Sequence, residues 1–142
     1  MTMGTFDLSR FTDAQAAAWP RALAELKAGR KQSHWMWFVF PQVAGLGSSP
    51  TAVHYAIASA DEARAYLADP LLGARLRDGV AAMLMHKGKS AETILGGIDA
   101  LKLRSSLTLF EAVADEPGLS ARALDAFYDG VRDARTLELL AR

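Results

Sequence analysis

Lys31-Gln32-Ser33-His34-Trp35-Met36-Trp37-Phe38-Val39-Phe40-Pro41-Gln42 holds two of the three tryptophans and two of the six phenylalanines of the chain. Aromatic side chains bury large areas and dominate whatever core or pocket they enter, so the remaining segments are expected to pack around this one. The apolar run from Trp35 to Phe40 suits either a short buried strand or a buried helical turn, and its periodicity does not separate the two. Its surroundings do: every neighbouring segment reads as helix. A helical piece ending before Pro41 is therefore expected, since the residue before a proline is pushed out of the helical region. The fold class follows as all-α.

Outward from this stretch, Thr12 and Gln15 stand at capping-box spacing. Ala18, Ala22 and Leu26, with Trp19 and Leu23 beside them, carry an apolar stripe at helical period as far as Ala28, and Gly29 stops it. Pro20 lies inside; either one helix kinks there or two meet, and the unbroken stripe favours one kinked helix. After the aromatic stretch, residues 44–50 contain two glycines and a proline and read as a loop, without the Gly-Lys-Ser/Thr of a phosphate-binding P-loop. Ser59-Ala60-Asp61-Glu62 is a capping box for a helix that stops before Pro70, and Pro70 starts the next, with Leu72, Leu76, Val80, Met83 and Leu84 on its apolar face. Ser90 to Leu95 makes a short helix ended by Gly96-Gly97. Asp99 is read as the cap of a longer helix with Leu103, Leu107, Phe110 and Val113 inward. Ser120 opens another, and Asp133 or Thr136 the last. No alternating strand pattern is present, and the expectation is a compact single-domain bundle, residues 1–142, of about six to eight helices, with residues 1–5 a flexible N-terminus.

The 142 residues suffice for one hydrophobic core, and 51% hydrophobic with 23% charged residues is ordinary for a globular chain. Lys plus Arg and Asp plus Glu each count 16, so no general nucleic-acid coat or polybasic membrane anchor is expected. The absence of cysteine removes disulfides, thiolate metal ligands and a cysteine nucleophile together. No apolar run approaches the roughly 20 residues of a membrane span, and the start lacks a signal-peptide pattern, which makes the cytoplasm the expected location.

Lys31, His34 and Gln42 frame the aromatic stretch with donors and acceptors, the furnishing of a ligand pocket. His34 reads as an acid, base or hydrogen-bond donor to a ligand, or as a satisfied helix cap. Trp35 and Trp37 point to different sides of a helix, one toward the core and one available for stacking. In Lys102-Leu103-Arg104-Ser105-Ser106 two cations and two hydroxyls meet the positive end of a helix dipole, a place suited to phosphate or carboxylate; the alternative is pairing with surface carboxylates. Thr51, His54 and Tyr55 add polar groups on the loop side. No serine sits in a Gly-x-Ser-x-Gly elbow, and His34, His54 and His86 lack the i, i+4 spacing of a helical zinc motif, so neither a triad nor a metal is expected.

Phe6-Asp7-Leu8-x-Arg10-Phe11, Gly29-Arg30-Lys31-x-Ser33-His34-Trp35-Met36-Trp37-Phe38-x-Phe40-Pro41-Gln42, Tyr55-Ala56-Ile57 and Lys102-Leu103-Arg104-Ser105-Ser106-x-Thr108-Leu109-Phe110 together resemble the DUF1810 family of small bacterial proteins. The resemblance implies an all-helical fold and brings no assigned activity. Pro50-Thr51-Ala52-Val53-His54-Tyr55 is similar to a Pro-Thr-x-Glu-His-Tyr segment of NADAR proteins, helical enzymes that process ADP-ribose. That similarity implies a diphosphate at Lys102 and Arg104 and a base or ribose on the tryptophan-rich wall. Val53 stands where the NADAR pattern has its acid, and a valine neither moves a proton nor stabilises a cationic sugar. Either Asp61 or Glu62 replaces it, or the pocket binds without cutting.

The functional expectation is a pocket for a small phosphorylated, nucleotide-like or ADP-ribose-like ligand, built from His34, Trp35, Gln42, Tyr55, Lys102, Arg104, Ser105 and Ser106, with N-glycosidic hydrolysis as its chemistry if an acid is supplied. The catalytic residue is unassigned and no cofactor is called for. The alternative is a non-enzymatic protein-interaction domain whose aromatics are core.

Overall fold

The computed structural model describes residues 6–116 and 118–141, so the expected flexible segment 1–5 lies outside the described residues. The helices are α1 (Ser9–Ala28), α2 (Met36–Val39), α3 (Pro50–Tyr55), α4 (Ala60–Ala68), α5 (Pro70–Leu84), α6 (Ala91–Leu95), α7 (Gly97–Val113), α8 (Gly118–Tyr128) and α9 (Ala134–Leu140). The fold is all-α. Nine helices among the described residues exceed the expected six to eight because of α3, a piece of six residues too short to show a period. Among the described residues a single parallel bridge, Val43 to Ile57, joins extended segments, with Ala44 N–H donating to the Ile57 carbonyl at 2.8 Å and Ile57 N–H to the Gln42 carbonyl at 2.9 Å.

Local chemistry sets most boundaries. Gly29, at φ 76°, takes the left-handed conformation that ends α1. Ser59, Ser90 and Asp133 each accept a backbone N–H in the first turn of α4, α6 and α9, and Asp69 accepts two at the start of α5 just before Pro70. Helix α1 runs unbroken through Pro20, which is exposed, and the carbonyl left without its donor belongs to the equally exposed Ala16.

The starts of α1 and α8 differ from expectation. Helix α1 begins at Ser9 rather than after Thr12, because Asp7 Oδ1 already accepts the Ser9 N–H at 2.9 Å. Gln15 forms no capping box; it is buried and its Nε2 donates to the Phe38 carbonyl at 2.6 Å and the Tyr66 hydroxyl at 3.0 Å. Helix α8 begins at Gly118 instead of Ser120.

Helix α7 is the element around which the others gather, packing against α4, α6, α8 and α9. Leu103, Leu107 and Phe110 are buried as expected, and Ser105, Ser106 and Thr108 are buried with them. Phe11, Tyr66 and Phe110 form an aromatic ladder through the core, with ring centroids 5.1 and 5.2 Å apart. Burial pushes the Tyr66 hydroxyl well above its ordinary pKa, against the lowering effect of its Gln15 hydrogen bond, so it stays neutral.

Candidate functional site

Past Gly29 the chain doubles back over the end of α1, and Glu25 holds it there. The Glu25 carboxylate accepts the backbone N–H groups of Gln32 (2.8 Å) and Ser33 (3.0 Å), the Ser33 hydroxyl (2.7 Å) and the Trp35 indole N–H (2.9 Å). Burial raises its pKa, but the four donors outweigh burial and hold the carboxyl down at about 2. This clasp turns Trp35 into the core, where it is 1% exposed. Trp35 therefore stands as a core residue and not as the ligand surface expected from the sequence. Trp37, two positions on, is half-buried and faces the other way.

Lys31 leaves the doubled-back segment and crosses to α7. Its backbone N–H donates to the Ile94 carbonyl at 2.8 Å, and its ammonium, on a side chain only 8% exposed, pairs with Asp99 at 2.9 Å. Lys102 Nζ lies 3.8 Å from the other oxygen of the same carboxylate. Each ammonium also stands over an indole: Lys31 is 5.1 Å from the Trp35 ring centroid and Lys102 5.0 Å from that of Trp37. Asp99 is thus no cap; α7 starts at Gly97, and Asp99 lies inside the first turn, shared between two cations. Two positive charges and one negative thus meet at the positive end of the 17-residue α7.

The remaining candidates divide. Arg104 faces away from Lys102, as two residues on a helix do, and its Nη2 lies 4.0 Å from Asp133 at the start of α9; its Nε is buried without a hydrogen-bond partner. Ser105 donates to the Leu101 carbonyl at 3.3 Å, inside its own helix. Ser106 shares the Lys102 face of α7 one turn further on, buried, and its Oγ has no partner. Gln42 and Tyr55 line with Trp37 a dent of about 10 Å³, room for about one water molecule. Tyr55 also packs on Phe38 and Phe11, at 5.3 and 6.1 Å between centroids. His34 is exposed. The structure therefore joins Trp37, Gln42 and Tyr55 with Lys102 beside them, and separates Arg104 and Ser105 from that group.

Neither carboxylate named as a substitute acid is free. Asp61 pairs with Arg64 at 2.9 Å, and Glu62, buried, accepts from Arg10 at 3.0 Å and from the Ala58 N–H at 2.6 Å. Val53 is 61% exposed. Among the described residues no three His, Asp or Glu side chains gather as a metal site. Glu25 and Asp99 are the two groups that sequence reasoning overlooked in these roles. No local signal marks Glu25, whose donors lie beyond the end of its helix, and the decisive partner of Asp99, Lys31, comes from outside α7.

A family model described as a protein of unknown function, DUF1810, matches residues 5–140. Among solved structures, the crystal structure of the conserved hypothetical protein Rv1873 from Mycobacterium tuberculosis is similar, with 50% identity over 96% of this chain and 98% of that chain and a TM-score of 0.94. A comparison with curated proteins finds no match. These findings carry the DUF1810 resemblance and not the NADAR one.

Proposed function

Because this chain belongs to the DUF1810 family, whose activity is unassigned, we propose from its own geometry that it is a small-molecule-binding domain for a phosphorylated, nucleotide-like ligand. The observation that carries the reading is the sharing of one carboxylate, Asp99, between Lys31 and Lys102 beside the half-buried Trp37. A phosphate brought to Lys102 supplies the negative charge that this arrangement lacks, at the start of α7. The outer face of Trp37 offers a base or ribose a stacking surface. Gln42 and Tyr55 line the dent beside Trp37 and His34 precedes it by one helical turn in sequence, whereas Arg104, Ser105 and Trp35 serve the fold. Binding without cleavage is the reading that fits Val53 and the engagement of Asp61 and Glu62.

The test is a thermal-shift series with AMP, ADP-ribose and inorganic phosphate. A ligand at 100 times its dissociation constant adds about 2.7 kcal/mol of stability, and Lys102→Ala is expected to abolish that gain while melting as the wild type does without ligand. No shift with any of the three, or a shift that survives Lys102→Ala, overturns the proposal.

One observation favours a second reading, a protein-interaction surface. Ile98 and Leu101, three apart on α7 and so on one face, are 74% and 60% exposed. Sedimentation of the wild type and of Ile98→Asp plus Leu101→Asp separates the readings: self-association lost in the variant supports the surface, and an identical monomer in both removes the case for a second copy as the partner.

A further inference from the structure

The end of α1 meets the end of α5. His86 Nε2 donates to the Lys27 carbonyl at 2.8 Å, and its ring lies so near Gly29 that a Cβ there would stand 3.0 Å from it. Joining these two helix ends gathers five exposed cations: Lys27 and Arg30 at the turn out of α1, Arg21 two turns back, and Lys87 and Lys89 in the turn after α5. None has a carboxylate within 4.0 Å among the described residues.

The fold accounts for only part of this charge. Each helix C-terminus carries about half a negative charge, so the two together take up about one cation. Glu25, beside Arg21 and Arg30, offsets another, although its oxygens are already committed to four donors. Asp78 stands two turns back along α5, and Glu92 lies toward the Tyr128 hydroxyl on α8. About three positive charges are left over at this end of a chain whose formal net charge is zero, so the rest of the molecule is negative to match. An even count of cations and carboxylates conceals that polarity.

Among these cations stands an apolar side chain. Met85 closes α5, one residue before His86, and is 67% exposed. The turn behind it faces open space, since a Cβ on Gly88 would meet nothing within 4 Å. Against a nucleic-acid backbone this methionine gains nothing, and residues 21–30 and 85–89 hold no Phe, Tyr or Trp on which a base could stack. Against a bilayer both features act together: cations meet the headgroup phosphates, and an apolar side chain enters the boundary between headgroups and acyl chains.

We propose that this end of the molecule docks reversibly on an anionic lipid bilayer, with Met85 entering the headgroup layer and Lys27, Arg30, Lys87 and Lys89 around it on lipid phosphates. None of these residues belongs to the Trp37 and Lys102 site, so docking is independent of nucleotide binding. A few surplus charges and one apolar side chain make the attachment weak and released by salt.

Co-sedimentation with phosphatidylcholine vesicles, with and without about one third phosphatidylserine, tests the proposal. Binding is expected to the mixed vesicles alone, at low salt, and to be lost at about 0.5 M salt. Lys87→Gln plus Lys89→Gln is expected to weaken it about 25-fold, near fivefold for each charge, while melting as the wild type does. Met85→Gln is expected to weaken it about tenfold and to leave any binding of duplex DNA unchanged. Arg64→Gln removes a cation that lines the cavity between α4, α5, α7 and α8, at the other end of α7, and is expected to change vesicle binding less than about twofold. The proposal is overturned if mixed vesicles do not bind, if pure phosphatidylcholine binds as well, or if the double lysine variant binds as the wild type does. Unchanged vesicle binding by Met85→Gln, or duplex DNA held as tightly as the mixed vesicles, overturns it in favour of a surface for polyanions in general. A loss on Arg64→Gln equal to that of one lysine overturns the placement of the docking face.

Discussion

The Trp35 indole N–H donates to Glu25 Oε1 at 2.9 Å, and this one bond ties the most aromatic segment of the chain to the last turns of α1. The same carboxylate is held down at about 2 by its four donors despite partial burial. A depressed folded-state value means that the unfolded chain binds the proton first as pH falls. The stability it contributes is full above the ordinary glutamate range and is lost as pH drops from about 5 toward about 2. Glu25→Gln is expected to cost about 1–3 kcal/mol at pH 7. Its deficit against wild type should shrink over that window in urea melts at stepped pH. A deficit that stays constant from pH 7 to pH 3 would show that the clasp does not act through charge.

The two tryptophans of the segment should behave oppositely. Trp35→Ala removes a buried aromatic and is expected to destabilise by about 3–5 kcal/mol. Trp37→Ala, at a half-buried position, is expected to cost less than about 2 kcal/mol. Denaturant midpoints of both variants check the order, and equal losses would contradict the burial pattern.

Gly73 and Gly97 both lie in helices, with different surroundings. A Cβ on Gly73 would meet the Leu67 carbonyl oxygen at 2.3 Å, backbone that cannot step aside, so Gly73→Ala is expected to cost about 1–3 kcal/mol or more. A Cβ on Gly97 meets nothing within 4 Å, so Gly97→Ala is expected to be neutral or stabilising by up to about 1 kcal/mol. Thermal melts of the pair provide the comparison.

Lys31 and Lys102 share Asp99 unequally, and removing them should show it. Lys31→Ala strands a partly buried carboxylate from its 2.9 Å partner and is expected to cost about 2 kcal/mol or more. Lys102→Ala breaks a contact of 3.8 Å at a more exposed side chain and is expected to cost under about 1 kcal/mol. A loss on Lys102→Ala as large as that on Lys31→Ala would assign Lys102 to the fold and remove it from ligand binding.

Features whose cause lies within one helical turn were legible in the sequence: the all-α class, the stop at Gly29, the caps at Ser59 and Ser90, and the start of α5 at Pro70. Each depends on a backbone group and a side chain three or four residues away at most. The direction of Trp35 was not legible, because α2 is only four residues long and Glu25 chooses the inward tryptophan from the preceding helix. Asp99 looked like a cap, and its sharing between Lys102 and a second cation was hidden until folding brought Lys31 against the same carboxylate. The cavity between α4, α5, α7 and α8 has no sequence signature at all: its walls are ordinary helix-face residues. Local hydrogen-bond chemistry determined where this chain becomes helical. Which faces meet, which charges share a partner and where space is left open were decided by the packing of helices distant in sequence, since burial, Coulomb interaction and volume depend on distance in space.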